Sequence, residues 1–306
     1  MGADGLVPFA VLFPLQNAVR SRRICYRVSV ADLGSDFPPF FLPCLRVPLM
    51  SRSLFLLGSL LVAPVCFGLG DTTSPLNAGE VDPAQEKWIE KYKGQKNAPD
   101  PAEMLVNTEA EPDLSEGFVP LFNGSDLEGW RPIGGECKFE AVDDQVIGTC
   151  VPGSPSTYLS SERTDYQDFV FTCEMKWDED GNSGVMFRAK LRTNGDKETV
   201  YGPQAEMEGF SQDRGWSGGI YGQSCGGYFY PLWLKEHAEA RKALKKGEWN
   251  RLTIVAKGND FKTWVNGVPA AHWKDDGTYA TGYFGLQIHS GNSGKVRWRN
   301  VQVKEL

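Results

Sequence analysis

Residues 260–273 read DFKTWVNGVPAAHW. Asn266 and Gly267 tolerate the positive φ that a two-residue hairpin turn demands, and the flanking runs FKTWV and VPAAHW suit paired strands. The stretch therefore predicts a β-hairpin, and similar texture extends from about Gly117 to the C-terminus. GFVPLFNGSDLEGW, DFVFTCEMKW, SGVMFRAK, PQAEME, EWNRLTIVAKG, YFGLQIHSG and KVRWRNVQVKEL are short alternating or apolar runs separated by turn residues. Many strands with few helices predict an all-β sandwich or barrel.

Upstream of Gly117 the composition changes. From Met50, MSRSLFLLGSLLVAPVCFGLGD opens with Arg52, runs apolar from Leu54 to Val65 and ends in small residues, the layout of a secretory signal peptide cleaved near Gly70. Its apolar run is short for a membrane span, so no span is expected in the mature chain. Residues 1–49 show no clean period and read as an extension upstream of a true start at Met50. Residues 71–115, rich in Pro, Asp, Glu and Asn, read as a linker or arm with one short helix in DPAQEKWIEKYKG, capped by Asp82 with Pro83 at its first position. A second helical stretch, WLKEHAEARKALKKG, reads as a surface insertion by its charge. The β domain is expected over residues 116–306.

The chain holds 39 acidic and 32 basic residues, a formal net charge of −7. Residues 1–70 carry six Arg against three Asp, so the remainder is more acidic still. Such a surface argues against nucleic acid as a partner. Cys137 and Cys150 flank KFEAVDDQVIGT almost symmetrically about Asp143-Asp144, as residues facing across a hairpin would. They are a disulfide candidate; two small buried residues are the alternative. The three histidines, His237, His272 and His289, lack metal-ligand spacing.

Alternation sorts the strand faces. In YFGLQIHSG, Gln287 and His289 oppose Phe284, Leu286 and Ile288; in SGVMFRAK, Arg188 opposes Val185 and Phe187; in DFKTWVNG, Trp264 opposes Phe261 and Val265. In YGPQAEMEGF, Gln204, Glu206 and Glu208 share one face. An outer face could thus display Arg188, Gln204, Glu206, Glu208, Trp264, Gln287 and His289, a set with amides and charges for hydroxyls and an aromatic plate for a pyranose ring. A solvated outer face gives the same alternation, and Arg188 paired with Glu206 or Glu208 gives it a structural excuse. GWSGGIYGQSCGGYFYPL sets Trp216, Tyr221, Tyr228 and Tyr230 among glycines, either as a cleft wall or as an aromatic-stapled connection.

LFNGSDLEGW, DFVFTCEMKW with GNSGVMFR, GPQAEME, RGWSGGIYG, GEWNRLTIVAKGNDFKTWVNGVPAA and GYFGLQIHSG with VRWRNVQVKEL resemble, in order, the blocks of the 3-keto-disaccharide hydrolase domain family. The resemblance implies a concanavalin A-like jelly-roll sandwich of two antiparallel sheets, an exported carbohydrate-active protein, and action on glycosides oxidised at C3. It points to Glu206 or His289 as the base, with Arg188, Gln204 and Gln287 positioning sugar oxygens. Glu208 and Tyr221 join the substrate contacts, and Trp216 or Trp264 serves as the platform. It leaves room for a divalent metal on Glu206 and His289 without requiring one. Many relatives carry an acid just after GGIY, where this chain has Gly222-Gln223. A non-catalytic carbohydrate-binding module is therefore the competing reading.

Overall fold

In the computed structural model, which describes residues 79–306, the hairpin at Asn266-Gly267 closes as read. Asn266 lies at φ 52° and Gly267 at φ 82°, joining Asp260–Val265 to Val268–Lys274 with Val265 opposite Val268. The Asn266 side chain ties this turn to its neighbours, accepting from Arg251 N at 2.8 Å and donating to the Ala243 carbonyl at 2.8 Å. Asp143 and Asp144, at φ 49° and 59°, close a second two-residue hairpin between Lys138–Val142 and Gln145–Thr149. The extension 1–49, the leader 50–70 and residues 71–78 of the arm lie outside the described residues.

Two antiparallel sheets carry the described chain. The nine-stranded sheet runs Leu105–Val106, Val268–Lys274, Asp260–Val265, Asn250–Lys257, Phe169–Glu179, Lys295–Glu305, Gln145–Thr149, Lys138–Val142, with Val119–Pro120 beside Lys295–Glu305. The seven-stranded sheet runs Gly227–Tyr230, Ile220–Gln223, Lys197–Met207, Ser183–Asn194, Tyr283–Ile288, Thr157–Ser161, Trp130–Gly134. This is the all-β jelly-roll sandwich expected. Sequence neighbours repeatedly land in different sheets: Phe169–Glu179 lies in the larger and Ser183–Asn194 in the smaller, so burying the inner faces commits the whole chain.

The inner faces meet where alternation put them. Phe171, Val185, Phe187, Leu252, Ile254, Phe261, Phe284, Leu286 and Trp298 are fully buried in one cluster. Phe284 is its centre, with Tyr166, Phe169 and Phe171 ring centroids 4.6, 4.8 and 4.7 Å away. Removing such a ring from a close-packed core costs about 3–5 kcal/mol. A smaller cluster of Ile133, Tyr158, Met186, Ala189, Val200 and Tyr283 sits apart from it, so the smaller sheet's other face is partly apolar.

The arm is packed along the sandwich. Asp82 caps the turn Pro83–Gln85 by accepting from Ala84 N, and the helix Glu86–Tyr92 follows. Leu105–Val106 then adds an edge strand to Val268–Lys274. Glu111 receives Arg251 Nε at 3.0 Å and Thr253 Oγ1 at 2.6 Å. Among the described residues no helix is long and apolar enough to cross a membrane.

Two expectations change. Residues 233–247 form two short 3₁₀ turns, Lys235–His237 and Ala240–Lys242, and they are not surface decoration, because Trp233, Leu234, His237 and Ala240 are buried. Burial, with Arg241 nearby, pushes the His237 pKa down to about 3, so this imidazole is neutral. Arg188 also departs from alternation. A register shift between Met186 and Lys190 interrupts the ladder, and Arg188 takes φ 43° and is 1% exposed.

Candidate functional site

The strand Lys197–Met207 presents Gln204 and Glu206 on one face, as the alternation in YGPQAEMEGF requires. Gly184 on the next strand stands opposite both Glu206 and Gln287. A Cβ there would lie 2.5 Å from Gln204 Nε2 and 2.6 Å from the Ala205 carbonyl, so only glycine leaves the floor open at this point. Gln204 Nε2 donates to Gln287 Oε1 at 2.6 Å, and Gln287 Nε2 donates to the Tyr158 hydroxyl at 3.1 Å. Both amides are 1% exposed, so this line of polar groups is fixed in orientation.

These residues floor a cavity of about 450 Å³, walled by Tyr92, Asn182, Glu206, Arg214, Tyr221, Gln223, Tyr228 and His289, among others. Its size suits a small ligand. Glu206 is buried and accepts from Asn182 Nδ2 at 2.6 Å. Burial, reinforced by the nearby Glu208 carboxylate, raises its pKa to about 7 against the relief given by Asn182 and Arg214. His289 is exposed at the rim, with Nδ1 2.6 Å from the Ser290 carbonyl. As donor there, Nδ1 keeps the proton in the neutral ring and Nε2 is the atom free to exchange one.

Glu208 does not line this cavity. It is 2% exposed, 2.6 Å from Arg214 Nη2, and its other oxygen accepts from Trp216 N at 3.0 Å. Its service is to hold Arg214, whose Nη1 donates to the Tyr92 hydroxyl at 2.8 Å. The guanidinium is also walled by aromatic rings, with the Trp216 and Tyr228 centroids at 5.0 and 5.5 Å.

Of the side chains expected at a sugar site, Gln204, Glu206, Gln287, His289 and Tyr221 converge in this cavity. Arg188, Glu208, Trp216 and Trp264 do not. Arg188 donates to the carbonyls of Gln167, Gly258 and Tyr279 and pairs with Asp168, so it staples loops together rather than reaching a sugar. Trp216 is wholly buried, with its indole N–H on Gln85. Trp264 belongs to the other sheet, where its indole N–H meets the Glu109 carbonyl of the arm. Cys137 and Cys150 are buried free thiols, each one step beyond the paired Lys138 and Thr149.

Sequence reasoning missed Arg214, Asn182, Tyr92 and Gln95. Arg214 and Asn182 stood within the blocks RGWSGGIYG and GNSGVMFR without being singled out, and the arm residues carried no motif. As for a metal, among the described residues no group of three or more His, Cys, Asp or Glu converges. Glu206 and His289 would supply two of the ligands that a divalent cation takes.

There are two larger cavities: one of about 890 Å³ lies elsewhere, and one of about 790 Å³ adjoins the Glu206 cavity across Ser156, Gln223 and Ser290. In the larger one Asp100, Asp275 and Asp276 are engaged by backbone N–H groups of their own turns. The smaller one holds no buried carboxylate. Asp275 is buried too but is taken up by its own turn, whereas the buried Glu206 carboxyl meets only the Asn182 amide.

Residues 117–304 match the family described as the 3-keto-alpha-glucoside-1,2-lyase-like domain. The chain belongs to this family. No curated protein matches the chain. Among solved structures, a glycosyl hydrolase candidate from Parabacteroides distasonis ATCC 8503 is similar at 21% identity over 65% of this chain and 100% of its own, with a TM-score of 0.43. The carbohydrate binding module CBM66 of Bacillus subtilis is similar at 15% identity over 61% and 100%, TM-score 0.40. A galectin-like-fold protein of unknown function from Bacillus subtilis is similar at 14% identity over 64% and 98%, TM-score 0.47.

Proposed function

We propose that this protein cleaves glycosides oxidised at C3 of the sugar, after export directed by the leader at 50–70. The observation that carries this reading is the convergence of a buried carboxyl titrating near pH 7, Glu206, with a rim imidazole, His289, over the amides of Gln204 and Gln287. A C3 ketone acidifies the C2 proton. The Glu206 carboxylate, more basic than usual, removes that proton, and its electron pair passes into the enolate of the ketone. The amides, with the Arg214 guanidinium at the wall, stabilise the enolate oxygen.

The enolate then expels the C1 oxygen with its bonding pair. His289, at the rim where a leaving group must exit, acts in its imidazolium form and gives that oxygen the Nε2 proton, returning to the neutral ring with its proton on Nδ1. Water adds to C1 of the resulting enone, passing its proton to Nε2 of His289, and the proton held by Glu206 returns to C2, giving the free 3-keto sugar and the released alcohol. Proton removal beside the ketone replaces the paired carboxylates of ordinary glycoside hydrolysis.

A second reading, sugar binding without turnover, is favoured by one feature: Gln223, which stands just after GGIY where many relatives have an acid, lines the cavity. Incubation of the mature protein with a 3-keto-glucoside, with and without chelator, separates the two. Release of the aglycone supports the enzyme; saturable binding of the intact glycoside with no release supports the binding module. N-terminal sequencing of the native protein, beginning at Asp71, tests the export step.

A further inference from the structure

The cavity has a wall that the matched domain does not supply. Tyr92 and Gln95 lie in the arm, upstream of residue 117 where the family match begins, and both line the Glu206 cavity. Their seats are built. Gln95 Oε1 accepts from Tyr228 N at 2.9 Å, and Asn97 Nδ2 donates to the Cys225 carbonyl at 2.7 Å. On the domain side, Gly227 sits at φ 130°, and a Cβ there would fall 2.1 Å from Gln95 Oε1. A Cβ on Gly226, at φ 105°, would meet Lys96 at 3.0 Å. Two successive glycines thus make room for two successive arm residues.

With their oxygens already accepting, the hydrogen-bonding capacity left to Gln95 and Tyr92 is that of donors. Gln95 uses its oxygen on Tyr228, and its amide NH₂ remains. Tyr92 accepts from Arg214, so its own hydroxyl proton is available for a further acceptor. The Tyr92 ring is held by Trp88, Trp216 and Tyr228, with centroids 6.4, 5.5 and 5.6 Å away. A rigid ring and a seated amide present two oriented donors at low entropic cost.

We infer that the arm is part of the binding site, with Tyr92 and Gln95 as specificity-determining residues that donate hydrogen bonds to oxygens of the bound sugar. The inference rests on the sugar-cavity reading and deepens it by giving the arm a share of ligand recognition.

The test uses the full mature chain carrying Tyr92→Phe, which keeps the ring, or Gln95→Glu, which keeps the acceptor for Tyr228 N and removes the donors. Equilibrium binding and turnover are measured on a 3-keto-glucoside and on its analogues lacking single hydroxyls. Each variant is expected to weaken equilibrium binding or raise KM by about three- to tenfold. The penalty should vanish on the one deoxy analogue whose missing hydroxyl was the partner, a pattern that a merely structural role would not give. Variants that match the parent on every analogue would overturn the inference while leaving the cavity reading standing. A parent chain that neither binds nor cleaves any of these sugars would overturn both.

Discussion

Glu206 and Glu208, two residues apart in the chain, have opposite fates: Glu206 faces the cavity with only an amide, Asn182, on its carboxyl, whereas Glu208 lies behind the wall on Arg214. Their separation of function follows from their neighbours. Burial pushes both carboxyls up, Glu206 to about 7 with no cation in contact. At Glu208 Arg214 opposes the rise, and Arg214 with Trp216 N occupies both oxygens, so Glu206 is the one free to exchange a proton with a ligand.

Glu206→Gln is expected to lower kcat by about 10²–10⁴-fold while leaving sugar affinity nearly intact, as turnover and binding assays would read. In the parent, kcat/KM should fall as pH drops below about 7, since the base must be ionised. Stability moves oppositely. Ionising a buried carboxyl whose folded pKa is raised costs free energy, so stability should fall as pH rises from about 4.5 through about 7. Glu206→Gln should flatten that decline in urea titrations at several pH values, and a decline that persists would remove Glu206 as its source.

His289→Gln should show leaving-group dependence. If His289 protonates the departing oxygen, its loss should be severe on a 3-keto-disaccharide and mild on a 3-keto-glucoside with a nitrophenol leaving group. Equal losses on both would assign His289 to another step.

Glu208→Ala should cost about 3–5 kcal/mol of stability, because it strands the Arg214 charge in a buried aromatic setting. Denaturant unfolding reads this directly. An unchanged midpoint together with a raised KM would instead return Glu208 to contact with the sugar.

Cys137 and Cys150 should join under oxidising conditions, since they flank the paired Lys138 and Thr149 at the open end of the Asp143-Asp144 hairpin. Non-reducing mass spectrometry after alkylation should show one bridge. Closing a loop of this length contributes roughly 3 kcal/mol, so Cys150→Ser should lower the thermal midpoint of the oxidised protein only.

The fold was legible because it rests on local chemistry. Asn266-Gly267 and Asp143-Asp144 dictate their turns, and alternation correctly turned Phe284, Leu286 and Ile288 inward and Gln287 toward the cavity. The same rule misled at Arg188, where a bulge that nothing in SGVMFRAK announces reverses the side chain. It was locally right for Trp264, which does oppose Phe261 and Val265, but face parity cannot say which of two sheets a strand joins. Arg214 and Tyr92 depend on loops and on a segment over a hundred residues away in sequence, a kind of proximity that no period encodes.

The pairing of Leu105–Val106 with Val268–Lys274 has a consequence for anyone trimming this protein to its recognisable core. Starting the chain at residue 117 would strip the cover from a strand whose N–H and C=O groups then point outward, an invitation to edge-to-edge association. Insolubility of such a fragment would then report a lost border strand rather than a faulty sandwich.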